Sequence, residues 1–240
     1  MIKKDQNSQS TDAVREQALL ILFKVFEKKS FSNILIKNIG SKFTPLDRAF
    51  ISEIVYGTIK YKLRLDYIIS KLSSIKMSRI SPYIMNILRM GFYQIMFMDR
   101  VPDSAAVDEC VKLAKKYGNI GASKFVNGML RNYIRNQDSI VYPENKTDPI
   151  AYLSVFYSYP EWIVRLLIND YGYDFTEQFL IFENKAPSIN VRINSLKTDK
   201  ESVRNSLLKD GVDVFDGEYT EDSLTLKGVP GIENLEEFND

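Results

Sequence analysis

The sequence predicts an all-α helical bundle followed by a small α+β domain, and three observations carry that prediction. From Thr11 to about Asn136 apolar residues recur only at helical spacing. At "PSINVRINSLKT", residues 187–198, the period changes to two, with Ile189, Val191 and Ile193 alternating against Asn190, Arg192 and Asn194. The charge also changes sign along the chain. Residues 1–142 hold 23 Lys and Arg against 12 Asp and Glu, or +11, whereas residues 143–240 hold 9 against 19, or −10.

The first helix is predicted to start at Thr11 or Asp12, either of which can accept a backbone N–H as N-cap. Val14, Ala18, Ile21 and Val25 then recur on one face, widened by Leu22 and Phe26. In "KFTPLDRAF" Thr44 is the N-cap, Pro45 takes the first helical position, and Asp47 complements the helix dipole. Leu46, Phe50 and Ile54 are expected to line its buried face. Ser81 and Pro82 repeat this start signal before the apolar stretch 82–98. There Ile84, Leu88, Gly91 and Ile95 share a face; a mid-helix glycine costs about 1 kcal/mol against alanine, so Gly91 marks a close helix crossing. Pro102 disfavours helical geometry at Val101 and ends the element. Asp103 or Ser104 is expected to cap the next one. Val107, Cys110, Val111 and Ala114 then fall at i, i+3, i+4 and i+7, which puts Cys110 in the buried stripe as a structural thiol. The last helix of this half runs from Ala122 to about Arg135.

Residues 143–160, with Pro143, Pro149 and Pro160, read as a linker containing a short helical piece at "YLSVFYS". Helices are predicted at 161–171, started by Pro160, and at 174–183. The strand at 189–194 leads to a helix at 199–209 ended by Gly211, then to short strands at "GVDVFD" and "DSLTLKG". The boundaries that follow are a flexible tail at 1–10, a helical domain at 11–142, the linker, and a small α+β domain at 161–240.

Composition narrows the function classes. With 45% apolar and 26% charged residues the chain is a globular one. The most apolar long stretch includes Asn86, Arg89 and Gln94 and falls short of the ~20 residues of a bilayer crossing, so no membrane span is predicted. MIKKDQNSQS lacks the apolar core of a secretory signal. A single cysteine excludes an internal disulfide, and a cytoplasmic location is expected. The absence of histidine removes the commonest general base, the usual triads and most zinc sites; no metal is expected.

The basic half points to phosphates instead. At 100° per residue Lys124, Asn127, Arg131 and Arg135 lie within about 80° of one another, opposite Val126, Met129, Leu130 and Tyr133. Lys112, Lys115 and Lys116 of the preceding helix would extend this strip if the two helices pack antiparallel. A second cluster, "YGTIKYKLRLDY", interleaves Lys60, Lys62 and Arg64 with Tyr56, Tyr61 and Tyr67; cations among tyrosines suit single-stranded RNA, and the same tyrosines are equally explained as core. In the small domain Arg192 and Asn194 are candidates for the polar face of the strand. "YGNIG" satisfies GxxG but lies between helices and is read as a turn.

In "VPDSAAVDECVKLAKKYG", "FVNGMLRN" and "LDRAFISEIVYGTIKYKLRLDY" the sequence resembles the NusB-like helical fold. With "YPEWIVRLLINDYG" and "INVRINSLKT" added, residues 13–232 resemble the N-terminal region of the RsmB (Sun/Fmu) family of 16S ribosomal RNA cytosine-5 methyltransferases. The resemblance implies 16S ribosomal RNA as partner, S-adenosylmethionine as cofactor of the full-length enzyme, and a catalytic domain with a glycine-rich loop and Thr/Pro-Cys motifs. Neither "KGVPGIENL" nor Cys110 matches those motifs, so the catalytic domain is expected to be missing and these 240 residues inactive alone. Three motifs depart from the family: Tyr159 in "SYPEW", Asp108 and Cys110 in "VDECVKLA", and Gly128 in "VNGML", where alanine is usual.

A NusB-type antitermination module is the alternative reading, cued by the helical half. A scaffold in which the acidic half covers the basic half is a third.

Overall fold

Asp12 accepts the Val14 backbone N–H and so starts α1, Ala13–Lys28. The computed structural model describes residues 12–40, 42–185, 188–218, 220–227 and 229. The expected tail at 1–10, and most of the glycine cluster after Lys227, lie outside the described residues. After the short α2, Ser32–Lys37, comes α3, Pro45–Lys60, whose start is a full capping box: Thr44 accepts the Asp47 N–H, and Asp47 accepts the Thr44 N–H. Helices α4, Lys62–Leu72, α5, Pro82–Phe97, α6, Asp103–Tyr117, and α7, Ile120–Asn136, complete the basic half.

The first core packs Leu19 and Leu22 of α1, Ile51 and Ile54 of α3, Ile68 and Ile69 of α4, and Ile87, Leu88 and Phe92 of α5 against Cys110, Leu113 and Leu130. Gly91 does mark a close crossing: a Cβ there would come within 3.0 Å of both Cys110 Sγ and the Leu130 methyls. Two details differ from the sequence expectation. Leu46 is 80% exposed, because the buried face of α3 is made by Ile51, Ile54, Val55 and Thr58, centred about 130° around the helix from it. The N-cap of α6 is Pro102, which offers no side-chain acceptor, and Asp103 is already helical, its charge in the first turn.

The chain divides into two compact units between Gln178 and Phe179. This lies beyond the expected linker at 143–160, because that segment folds into the first unit. It contains α8, Pro149–Tyr157, started by Asp148 accepting the Ala151 N–H. The Tyr67 hydroxyl donates to the Val141 carbonyl (2.7 Å), and the Leu63 N–H donates to the Ser158 hydroxyl (3.0 Å). Helix α9, Glu161–Tyr171, follows, and then α10, Tyr173–Glu183, within which the division falls.

The second unit holds β1, Ile189–Arg192, α11, Lys200–Lys209, β2, Asp213–Asp216, and β3, Ser223–Lys227. The sheet order is β1-β3-β2 with both pairings antiparallel. The crossover β1–α11–β2 is therefore split by β3, a βαβ unit opened by an inserted strand. Gly211 at φ +78° provides the left-handed turn after α11. Ile193, Leu207, Val212, Leu224 and Leu226 form this unit's own core.

Candidate nucleic-acid interface

Helix α7 builds the basic face. Asn119 accepts the Ala122 N–H and starts the helix at Ile120, two residues before the expected Ala122. Val126, Met129, Leu130 and Tyr133 are buried, which fixes the helix rotation and turns Lys124, Arg131 and Arg135 outward. Arg131 Nε donates to Asn127 Oδ1 (2.8 Å), and Arg135 Nε donates to the Arg131 carbonyl (3.2 Å). These bonds tie each guanidinium to the residue one turn before it, and both side chains are exposed. Lys124 and Arg135 have no ion-pair partner among the described residues. Arg131 approaches Asp108 only to 4.0 Å, with the two side chains 56% and 63% exposed, a pair of little energetic weight.

The Gly118–Asn119 turn joins α6 to α7, and the two helices pack together. Asp108 and Arg131 stand at similar distances in sequence from that turn, so their approach is the signature of antiparallel packing. Lys115, seven residues after Asp108, shares its edge of α6 and is exposed. Lys112 and Lys116 are engaged elsewhere: Lys112 pairs with Glu109 and Lys116 with Glu16 of α1. Glu109 in turn accepts the Asp12 N–H (2.9 Å), so this side of α6 is tied to the start of α1.

In the second cluster Lys60 is exposed with its ammonium 5.9 Å from the Tyr61 ring centre, and Lys62 pairs with Asp66 at 2.8 Å. Arg64 lies over the Phe156 ring at 4.3 Å and donates to the Phe156 carbonyl and the Tyr142 hydroxyl, both at 3.3 Å. Tyr61 stacks on Phe97 and Tyr67 on Tyr142, whereas Tyr56 is exposed. No sequence signal named Tyr142 or Phe156 as partners, since they are far away along the chain. In the second unit Arg192 and Asn194 are exposed on the wall of a cavity of about 890 Å³, shared with Lys197, Thr198, Ser202 and Ser206. Asn194 Oδ1 accepts the Leu196 N–H (3.2 Å).

Chemistry on the substrate needs a reactive group, and the one thiol is poorly placed for it. Cys110 is fully buried and its Sγ–H donates to the Ile87 carbonyl (3.7 Å); burial pushes it up to about 12, against the lowering effect of Arg15. The described residues contain no group of three or more Asp, Glu or Cys placed to hold a metal ion. Among the described residues no helix is long and apolar enough to cross a membrane. The described sheet is antiparallel and lacks the parallel strand–glycine loop–helix cradle that suits S-adenosylmethionine.

Residues 12–135 match the NusB family, and residues 159–233 match the Methyltr_RsmF/B-like, ferredoxin-like domain. The chain is 30% identical over 216 residues to the probable ribosomal RNA small subunit methyltransferase B of Bacillus subtilis (strain 168), covering 89% of this chain and 48% of that protein. It is 37% identical over 126 residues to the transcription antitermination protein NusB of Clostridium novyi (strain NT), covering 50% of this chain and 95% of that protein. The crystal structure of PH0851 superposes with a TM-score of 0.60 at 21% identity over 96% of this chain and 52% of that one, a likeness of fold. The chain thus spans about half the length of the methyltransferase relative it matches.

Proposed function

Given that the chain belongs to the NusB family and joins that fold to an RsmF/B-like ferredoxin-like domain, we propose that it is the RNA-recognition portion of a 16S ribosomal RNA cytosine-5 methyltransferase. The observation that carries this reading is the outward face of α7, where Lys124, Arg131 and Arg135 stand exposed and the one carboxylate in reach, Asp108, meets Arg131 only at 4.0 Å in an exposed pair. Phosphate contacts from this face, joined by Lys115, set affinity and register without reading sequence. Arg192 and Asn194 of the second unit offer a guanidinium and an amide that can meet base edges or phosphates. Methyl transfer and S-adenosylmethionine binding belong, in this reading, to a catalytic domain outside these 240 residues, acting in the cytoplasm.

The residues present divide the work accordingly. Lys62 and Lys112 pair with carboxylates of their own helices, Lys116 ties α6 to α1 through Glu16, and the α7 cations meet the polyanion. An antitermination role of the NusB kind would account for residues 12–135 and leave 159–233 without a task.

Titrating the chain with a labelled 16S ribosomal RNA fragment at increasing salt tests the reading. Each phosphate neutralised contributes about −0.7 to the slope of log K against log salt on single strands, so three α7 cations alone give about −2. Affinity that does not change with salt contradicts it.

A further inference from the structure

Gly128 sits at the middle of α7 on its exposed side, and a Cβ built there meets no atom within 4 Å. Two other mid-helix glycines have packing reasons. At Gly57 a Cβ would fall inside the Tyr93 ring, and at Gly91 it would press on Cys110 and Leu130. Nor does Gly128 serve a turn: it is helical, and among the described residues the glycines with positive φ are Gly40, Gly172 and Gly211. A helix interior disfavours glycine more than any residue but proline, because glycine gives up the most conformational freedom on folding. Nothing among the described residues offsets that penalty at position 128.

Its surroundings do suggest what could. At 100° per residue Gly128 lies about 20° from Arg135, 40° from Lys124 and 60° from Arg131 around the helix. The main chain is therefore bare midway along the helix, directly beside the row of cations. From Lys124 to Arg135 that face exposes no large apolar residue, the kind of anchor on which protein partners are usually held. A polyanion with a slim backbone suits it better.

We propose that Gly128 is a close-approach position at which the sugar–phosphate backbone of RNA lies directly against the α7 main chain, with Lys124, Arg131 and Arg135 reaching its phosphates on either side. The proposal rests on the RNA-binding reading above and adds the position that sets the depth of docking. A side chain at 128 would hold the strand away from the helix. The cations would then meet phosphates across water, where Coulomb attraction is much weaker.

The test compares wild type, Gly128→Ala and Gly128→Leu, using fluorescence anisotropy with a labelled RNA stem-loop and thermal melting of each protein. The open surroundings let both variants fold, and Gly128→Ala raises the melting temperature by about 2–4 °C. RNA affinity falls nonetheless, about threefold for alanine and about tenfold for leucine, the size of losing one good contact. Better folding with weaker binding is a combination that a merely structural glycine does not give. Unchanged RNA affinity in both variants, beside a wild type that binds with a steep salt dependence, overturns this inference alone and favours a protein partner for the face. A wild type whose binding ignores salt overturns the RNA reading and this inference with it.

Discussion

The Cys110 thiol, buried where α5 crosses α6, is pushed up to about 12 by its burial, and the Tyr93 hydroxyl is raised by burial and by donating to Glu53. Both groups are held in their protonated forms by the fold. Their stabilising contribution is complete below the unfolded-state values, about 8.5 for a thiol and about 10 for a tyrosine, and is lost as pH rises through the folded ones. With no histidine in the chain, no ordinary side chain titrates between pH 5 and 8. Urea midpoints should therefore be flat from about pH 6 to 8 and fall above about pH 9; an alkaline midpoint equal to the neutral one would contradict this. The spacing of Val107, Cys110, Val111 and Ala114 was enough to place this thiol in the core. The same reasoning failed at Leu46, because the row Leu46, Phe50 and Ile54 is buried only where a neighbouring helix covers it.

Elements joined by distant residues were harder to read. Interleaved cations and tyrosines on α4 are visible in sequence, but which of them face water depends on what packs over them. Arg64 is covered by Tyr142 and Phe156, 78 and 92 residues further on, and serves to hold the segment leading into α8 against α4. Replacing Arg64 by alanine should lower stability by about 1–3 kcal/mol, through two hydrogen bonds from a charged donor and a cation–π contact. The salt slope of RNA binding should stay unchanged. A shallower slope at unaltered stability would return Arg64 to the RNA surface. Elements with local signals gave themselves away instead: the Thr44 cap with Pro45 behind it, and the period of two at β1, depend on residues within one turn or one strand of each other.

For the whole molecule the opposed charges of the two halves, +11 and −10, are legible without coordinates. They cannot say which cations remain free to meet a ligand. Packing decides that: Lys62, Lys112 and Lys116 are drawn to carboxylates, whereas Lys124 and Arg135 are left in water by the rotation of α7. The division between compact units was also hidden, since the prolines at 143, 149 and 160 suggest a linker and only long-range contacts show that α8 belongs to the first unit.

The central claim is that the outer face of α7 grips phosphates, and one measurement reaches it directly: RNA binding across a salt series by the Lys124→Ala, Arg131→Ala, Arg135→Ala triple variant beside the wild type. These side chains are exposed, so melting should change little. The slope of log K against log salt should become shallower by about 2. A triple variant that keeps both the affinity and the slope of the wild type would contradict the claim.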